Sequence, residues 1–132
     1  MTRSEGWERR LADYIAAAID RPFAWGSHDC ALWAATWVDL ATGSTFAAEW
    51  AGLYKTQAGA WNAMKTRGFS GVAGIADRHL EGIPVNRASR GDLVLHPQGA
   101  LGICHGVRSY FVTESGLAAE KTLACTRAWA VG

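Results

Sequence analysis

The stretch "FAWGSHDCALWAATWV", residues 23–38, sets a single cysteine, Cys30, directly after an aspartate, where a glycine-bearing turn gives way to an apolar run. A thiol in the first turn of a helix feels the positive end of the macrodipole and unpaired backbone N–H groups, and both favour the thiolate. The turn formed by Gly26, Ser27, His28 and Asp29 offers further backbone donors that could hold an oxyanion. Against this stands the ordinary role of a free cysteine as a small buried hydrophobe in an apolar helix. A third reading gathers His28, Cys30, Cys104 and His96 around a metal, since imidazole and thiolate suit zinc or iron. Those residues fall on a turn, a helix start and a strand without the short spacing of a structural zinc site, so no metal and no cofactor is expected. Cys125 is assigned to the core or the sheet.

The elements that must position these groups divide the chain in two. Ser4 reads as the cap of a first helix in which Trp7, Leu11, Ile15 and Ile19 recur at helical spacing, and Pro22 forbids its continuation past Asp20. A second helix is predicted from Cys30 to Thr42, with Gly43 as its left-handed stop, and its nearly all-round apolar character makes it central. Short helical pieces are expected at "TFAAEWAG", at "TQAGAWNAMKTRG" with Thr56 as cap and Gly68 as terminator, and at "GIADRHL". The period then changes. "RGDLVLHPQGALGICHG" has a turn at Arg90 and Gly91, an apolar run, a Pro-Gln-Gly turn and a second apolar run, the pattern of a β-hairpin. Further strands are expected at "SYFVT" (109–113), "GLAAE" (116–120) and "ACTRAWAV" (124–131). Helices first and antiparallel strands afterwards give an α+β fold, with N-terminal helices packed on one side of a small antiparallel sheet.

Composition narrows the partners. The 132 residues, 49% hydrophobic, suffice for one packed core and are too few for two domains, so residues 1–132 read as a single domain. Thirteen basic residues against twelve acidic ones, with no basic stripe, give nothing to track phosphates, so nucleic acid is not an expected partner. The charged start "MTRSEGWERR" lacks the apolar stretch of a signal peptide, and no segment approaches the roughly 20 apolar residues that span a bilayer. Synthesis in the cytoplasm without membrane insertion is the expectation, with three free cysteines and no disulfide framework. Seven tryptophans are many for this length, and Trp7, Trp25, Trp50 and Trp61 are candidate exposed anchors for a partner.

"HDCALWAATWV", then "RGDLVLHPQGALGICHG" and "YFVTESG", resemble in order the helix start and strands of the NlpC/P60 cell-wall cysteine peptidases, which have a papain-like fold. The resemblance covers residues 22 to about 115. Over almost the whole chain, "PFAWGSHDCALWAATWV", "GDLVL", "ALGIC" and "CTRAWAVG" are similar to small NlpC/P60-like proteins encoded in the tail gene clusters of phages, prophages and gene transfer agents. The resemblance implies Cys30 as nucleophile, preceded by Asp29. It sets the family's base histidine on Ala100 and its third polar position on Thr113, so two of the three catalytic positions depart from the pattern.

Side chains alternate along a strand, which sends His105 to the face opposite Ala100. With a three-residue loop at 97–99, His96 lies across from Ala100 and on its face, making it the best substitute base, with His28 as the second candidate and Asp29 or Thr113 to orient the ring. His79 is expected at the surface. Two functions follow from the resemblance. One is a tail tip or hub structural or assembly protein of the virion on a degenerate peptidase fold, a pseudoenzyme whose partners are other tail proteins. The other is a working cysteine peptidase that hydrolyses peptidoglycan stems during wall penetration.

Overall fold

The computed structural model describes residues 2–132. Among these residues four α-helices precede the sheet: α1 (Trp7–Ala18), α2 (Cys30–Thr42), α3 (Gln57–Thr66) and α4 (Val72–His79). Six strands follow: β1 (Glu81–Ile83), β2 (Leu93–Leu95), β3 (Leu101–Cys104), β4 (Arg108–Thr113), β5 (Gly116–Lys121) and β6 (Arg127–Ala130). They form one antiparallel sheet in the order β1-β6-β2-β3-β4-β5. The fold is α+β, as the change of period in the sequence requires, and among the described residues no helix is long and apolar enough to cross a membrane.

Alternation along the strands separates two clusters. Leu93, Leu101, Ile103, Val112 and Trp129 face the helices and join Leu11, Ile15, Leu32, Trp37 and Val38 in the main core. Val94, Cys104, Phe111, Cys125 and Ala128 point the other way and form a smaller outer cluster. The outer face is covered in part by 3-10 turns at Val85–Arg87 and Thr122–Ala124. α2 runs against the middle of the sheet, and the Trp37 indole N–H donates to the Gly91 carbonyl at 2.8 Å, fixing the helix to the mouth of the hairpin.

α2 has the bounds expected of it, and Gly43 is its stop, while its N-cap is a residue the sequence reading had not assigned to capping. Asp29 caps it, its side chain accepting from the Leu32 N–H, and Gly43 ends it at φ 74°. Thr56 caps α3 through the Gly59 N–H at 3.0 Å. The first helix corrects the reading of Ser4. Gly6 occupies its N-cap with no side-chain bond, while the Ser4 hydroxyl and N–H both donate to the Ala41 carbonyl at the far end of α2. Ile19 is 51% exposed, because α1 ends one residue earlier and turns its last apolar position outward. Strand β1 was not expected; its "EGI" carries too little apolar pattern to announce itself, and it forms by pairing with β6. β6 in turn starts only at Arg127, since Thr122–Ala124 tighten into a 3-10 turn.

The two chain ends meet at Asp92, a buried carboxylate. Its Oδ1 accepts from Arg3 Nη2 at 2.8 Å and from the Val131 N–H at 3.0 Å, and its Oδ2 accepts from the N–H and hydroxyl of Ser89. Arg3 also donates to the carbonyls of Val131 and Arg90. Asp92→Ala removes the ion pair to the half-buried Arg3 guanidinium and leaves the N–H groups of Ser89 and Val131 without their acceptor, so an equilibrium urea melt should show a loss of about 3 kcal/mol. A loss under about 1 kcal/mol would show that the clasp is dispensable.

Candidate functional site

The sequence builds the approach to Cys30 as a tight loop. Residues 24–28 close on themselves, the Ala24 N–H donating to the His28 carbonyl at 3.1 Å and the His28 N–H to the Ala24 carbonyl at 2.8 Å. Gly26 sits at φ 80°, and a Cβ there would lie 1.8 Å from the Tyr54 carbonyl oxygen, so only glycine lets the two loops touch. Asp29, 1% exposed, ties this loop to the rest. Its Oδ1 accepts from the Leu32 N–H at 2.8 Å, and its Oδ2 accepts from the Gly26 N–H at 3.0 Å and the Tyr54 hydroxyl at 2.7 Å. Burial, followed by the bond to Asp29, pushes the Tyr54 phenol well above its usual range.

Cys30 is half-buried on the wall of a cleft of about 450 Å³ that lies between α2, α3, α4 and the loop joining β2 to β3. The cleft is mainly apolar, with Trp50, Trp61, Met64, Leu95 and Leu101 in its lining and Tyr54, Gln57 and Gln98 as polar points. Trp61, 48% exposed, and Trp25, 37% exposed, stand at its open side. Trp7 is half-buried under the Arg3 guanidinium, which lies 4.1 Å from its ring. Trp50 corrects its reading as an exposed anchor: it is 6% exposed, packed edge-on to Phe69, and its Nε1–H has no hydrogen-bond partner.

The expectation of a favoured thiolate is also corrected. Burial, followed by the Asp29 charge, pushes the Cys30 thiol above its ordinary range, although the backbone N–H groups of Leu101, Ala31 and Cys30 act in the opposite direction. Desolvation outweighs the helix terminus because it penalises only the charged form, and the neighbouring carboxylate adds to it.

None of the four histidines lines this cleft. His96 does stand across from Ala100, its N–H donating to the Ala100 carbonyl at 2.8 Å, as the loop length requires. Its ring, however, packs edge-on to Phe111 of the outer cluster at 5.3 Å, with Nε2 4.0 Å from Glu120. Ala100 packs against that outer cluster as well, but unlike His96 it also lines the cleft with Cys30. His28 is buried and lines a different, smaller cavity between α1 and α2. His79 is not a free surface residue; it stacks on Phe46 at 4.4 Å, with Nδ1 3.0 Å from the Ile75 carbonyl. His105 lies 5.9 Å from Tyr110, beyond the end of β3.

The orienting residues are engaged elsewhere. The Asp29 carboxylate faces the three donors just described rather than an imidazole. The Thr113 hydroxyl donates to the Gly116 carbonyl at 2.6 Å inside the β4–β5 turn, so it serves the turn and not the cleft. Cys104 and Cys125 are both buried in the outer cluster, where burial, followed by Cys104, raises Cys125 to about 11. Among the described residues no group of three or more His, Cys, Asp or Glu side chains is arranged to hold a metal ion. Sequence reasoning did not single out Tyr54. An aromatic residue in an irregular loop carries no periodic signal, and its link to Asp29 spans 25 positions.

Alkylation of Cys30 by iodoacetamide, resolved from the other thiols by peptide mass spectrometry, should be slow at pH 7. Its rate should keep climbing as pH rises past the ordinary thiol range of about 8.5. A rate already level near neutral pH would mean a preformed thiolate and would contradict the dominance of burial. Gly26→Ala should lower stability by more than about 1 kcal/mol, through strain at positive φ added to the clash with Tyr54, and should loosen the Cys30 loop in amide exchange.

No curated protein matches the chain. One family match covers residues 2–131, and the family is described as a domain of unknown function (DUF6950). On that coverage the chain belongs to the DUF6950 family.

Proposed function

We propose that this protein is a structural or assembly component of a phage-like tail, at its tip or hub, built on a degenerate NlpC/P60-like peptidase fold that binds without hydrolysing. The carrying observation is that Cys30 stands at a helix start in an open cleft that no histidine lines. Amide hydrolysis by a thiol needs a proton taken from the nucleophile and delivered to the leaving nitrogen, and a positioned acid–base contributes about 10²- to 10⁴-fold. Here the thiol is held in its neutral form, and both sequence candidates for the base, His28 and His96, line other surfaces. The cleft itself remains. Its apolar lining, the unpartnered Trp50 N–H and the exposed rings of Trp25 and Trp61 suit an apolar partner segment that brings a hydrogen-bond acceptor.

The likeness of "HDCALWAATWV", "GDLVL" and "ALGIC" to tail-cluster proteins supplies the partner class, other tail proteins, and the virion as the place where the chain resides. Two measurements test the reading together. On a zymogram of purified cell wall, the wild-type chain and Cys30→Ser should give the same background; clearing by wild type that Cys30→Ser abolishes would establish a peptidase instead. In a particle-producing host, Cys30→Ser should assemble tails that contain the chain by mass spectrometry. The double variant Trp25→Ala, Trp61→Ala should lower that incorporation at least about tenfold, the cost of two aromatic contacts. Tails that form normally in a host lacking the gene would overturn the assembly role.

A further inference from the structure

A second cavity, of about 140 Å³, lies on the other side of the Cys30 loop, between α1 and α2. Its wall includes Tyr14, Arg21, Ser27, His28, Trp33 and Thr36. Two buried nitrogens of that wall have no hydrogen-bond partner, His28 Nε2 and Trp33 Nε1, and each side chain belongs to a residue only 3% exposed. A single orphaned polar atom in a native interior is uncommon and costly, and two on one cavity call for an occupant.

The chemistry of the wall defines that occupant. An indole N–H can only donate, and an imidazole Nε2 donates in one neutral tautomer and in the charged ring. No aspartate or glutamate lines the cavity, and its one charged residue is Arg21, exposed at the mouth and close enough to act on both the His28 ring and the Tyr14 phenol. The cavity has room for a few non-hydrogen atoms, at roughly 30 Å³ for each water-sized unit. Tyr14 is already committed, its hydroxyl donating to the Trp33 carbonyl at 2.6 Å, with the two rings stacked at 5.6 Å. That stack holds the indole in place whether or not the cavity is filled.

We propose that this cavity binds a small oxyanion, the carboxylate or phosphate group of a small solute, received by the Trp33 Nε1–H and the His28 ring and paired with the Arg21 guanidinium. The occupant sits apart from the Cys30 cleft, on the opposite side of the 24–28 loop. Burial, followed by the charge of Arg21, holds His28 below its ordinary range in the free protein, while the adjacent Asp29 acts to raise it. Tyr14, the other titratable group on this wall, stays neutral because burial raises its phenol. A bound oxyanion stabilises the charged imidazole, so binding takes up a proton and tightens as pH falls.

The full chain, labelled with ¹⁵N, is titrated separately with sodium acetate and sodium phosphate, with sodium chloride holding ionic strength constant. The indole N–H signal of Trp33, assigned by its loss in Trp33→Phe, should shift saturably with at least one of the two, and the arm that saturates at lower concentration identifies carboxylate or phosphate as the preferred group. Arg21 is exposed and its side chain makes no hydrogen bond among the described residues, so Arg21→Gln should keep the wild-type spectrum elsewhere and weaken binding about tenfold. Binding should be tighter at pH 6 than at pH 8. A Trp33 signal that neither oxyanion moves, or one that moves equally with chloride, would overturn the proposal, as would affinity unchanged in Arg21→Gln.

Discussion

The carboxylate of Asp29 is the interaction on which the functional half of the molecule depends. A buried carboxylate is tolerable only when its lone pairs are met by donors, and here a helix N-terminus, a glycine turn and a tyrosine hydroxyl meet them at 2.7–3.0 Å. The turn before α2, the first turn of α2 and the loop carrying Tyr54, 25 positions on, are thereby held to one point. The start of α2 is capped, the 24–28 loop is tied to it, and the loop carrying Tyr54 lies over Gly26 so closely that no Cβ would fit. The thiol of Cys30 falls on one side of this knot and the ring of His28 on the other. The same carboxylate that builds the site also opposes ionisation of the cysteine beside it.

The pleat of the sheet decides the rest of the site. Leu101 and Ile103 must face α2, because the main core is built on them, and this sends Cys104 to the outer cluster. Across the hairpin, Leu95 packs toward the helices and His96 therefore turns to Phe111. Moving an imidazole from that position to the thiol would require slipping the hairpin by one residue, which would expose the apolar side of β2 and β3. The pattern that stabilises the sheet thus keeps the His96 ring on the Phe111 side.

The cleft beside Cys30 is mainly apolar, and no histidine is among its lining residues. Trp50 and Tyr54 define its polar requirements: the tyrosine is satisfied from within, whereas the tryptophan N–H is not. Five of the seven tryptophans divide between two environments. Trp33, Trp37 and Trp129 are buried in the core, and Trp37 and Trp129 anchor their indole N–H groups on Gly91 and Asp77. Trp25 and Trp61 remain exposed beside the cleft.

The sequence alone determined the local elements, because their signals are local. Helical spacing with Gly43 as a stop and Thr56 as a cap marked α2 and α3, and two apolar runs around a Pro-Gln-Gly turn marked the β2–β3 hairpin and set His96 opposite Ala100. It placed Cys30 at a helix start, and it implied an α+β fold. It did not disclose β1, which exists only through pairing with β6, nor the role of Ser4, whose partner Ala41 is 37 positions away. Tertiary structure alone decided which side of the sheet each histidine occupies, that Tyr54 reaches Asp29, and that the thiol is neutral. Ionisation depends on the solvent and charge that surround a group in three dimensions, and those surroundings are assembled from residues that no local pattern brings together.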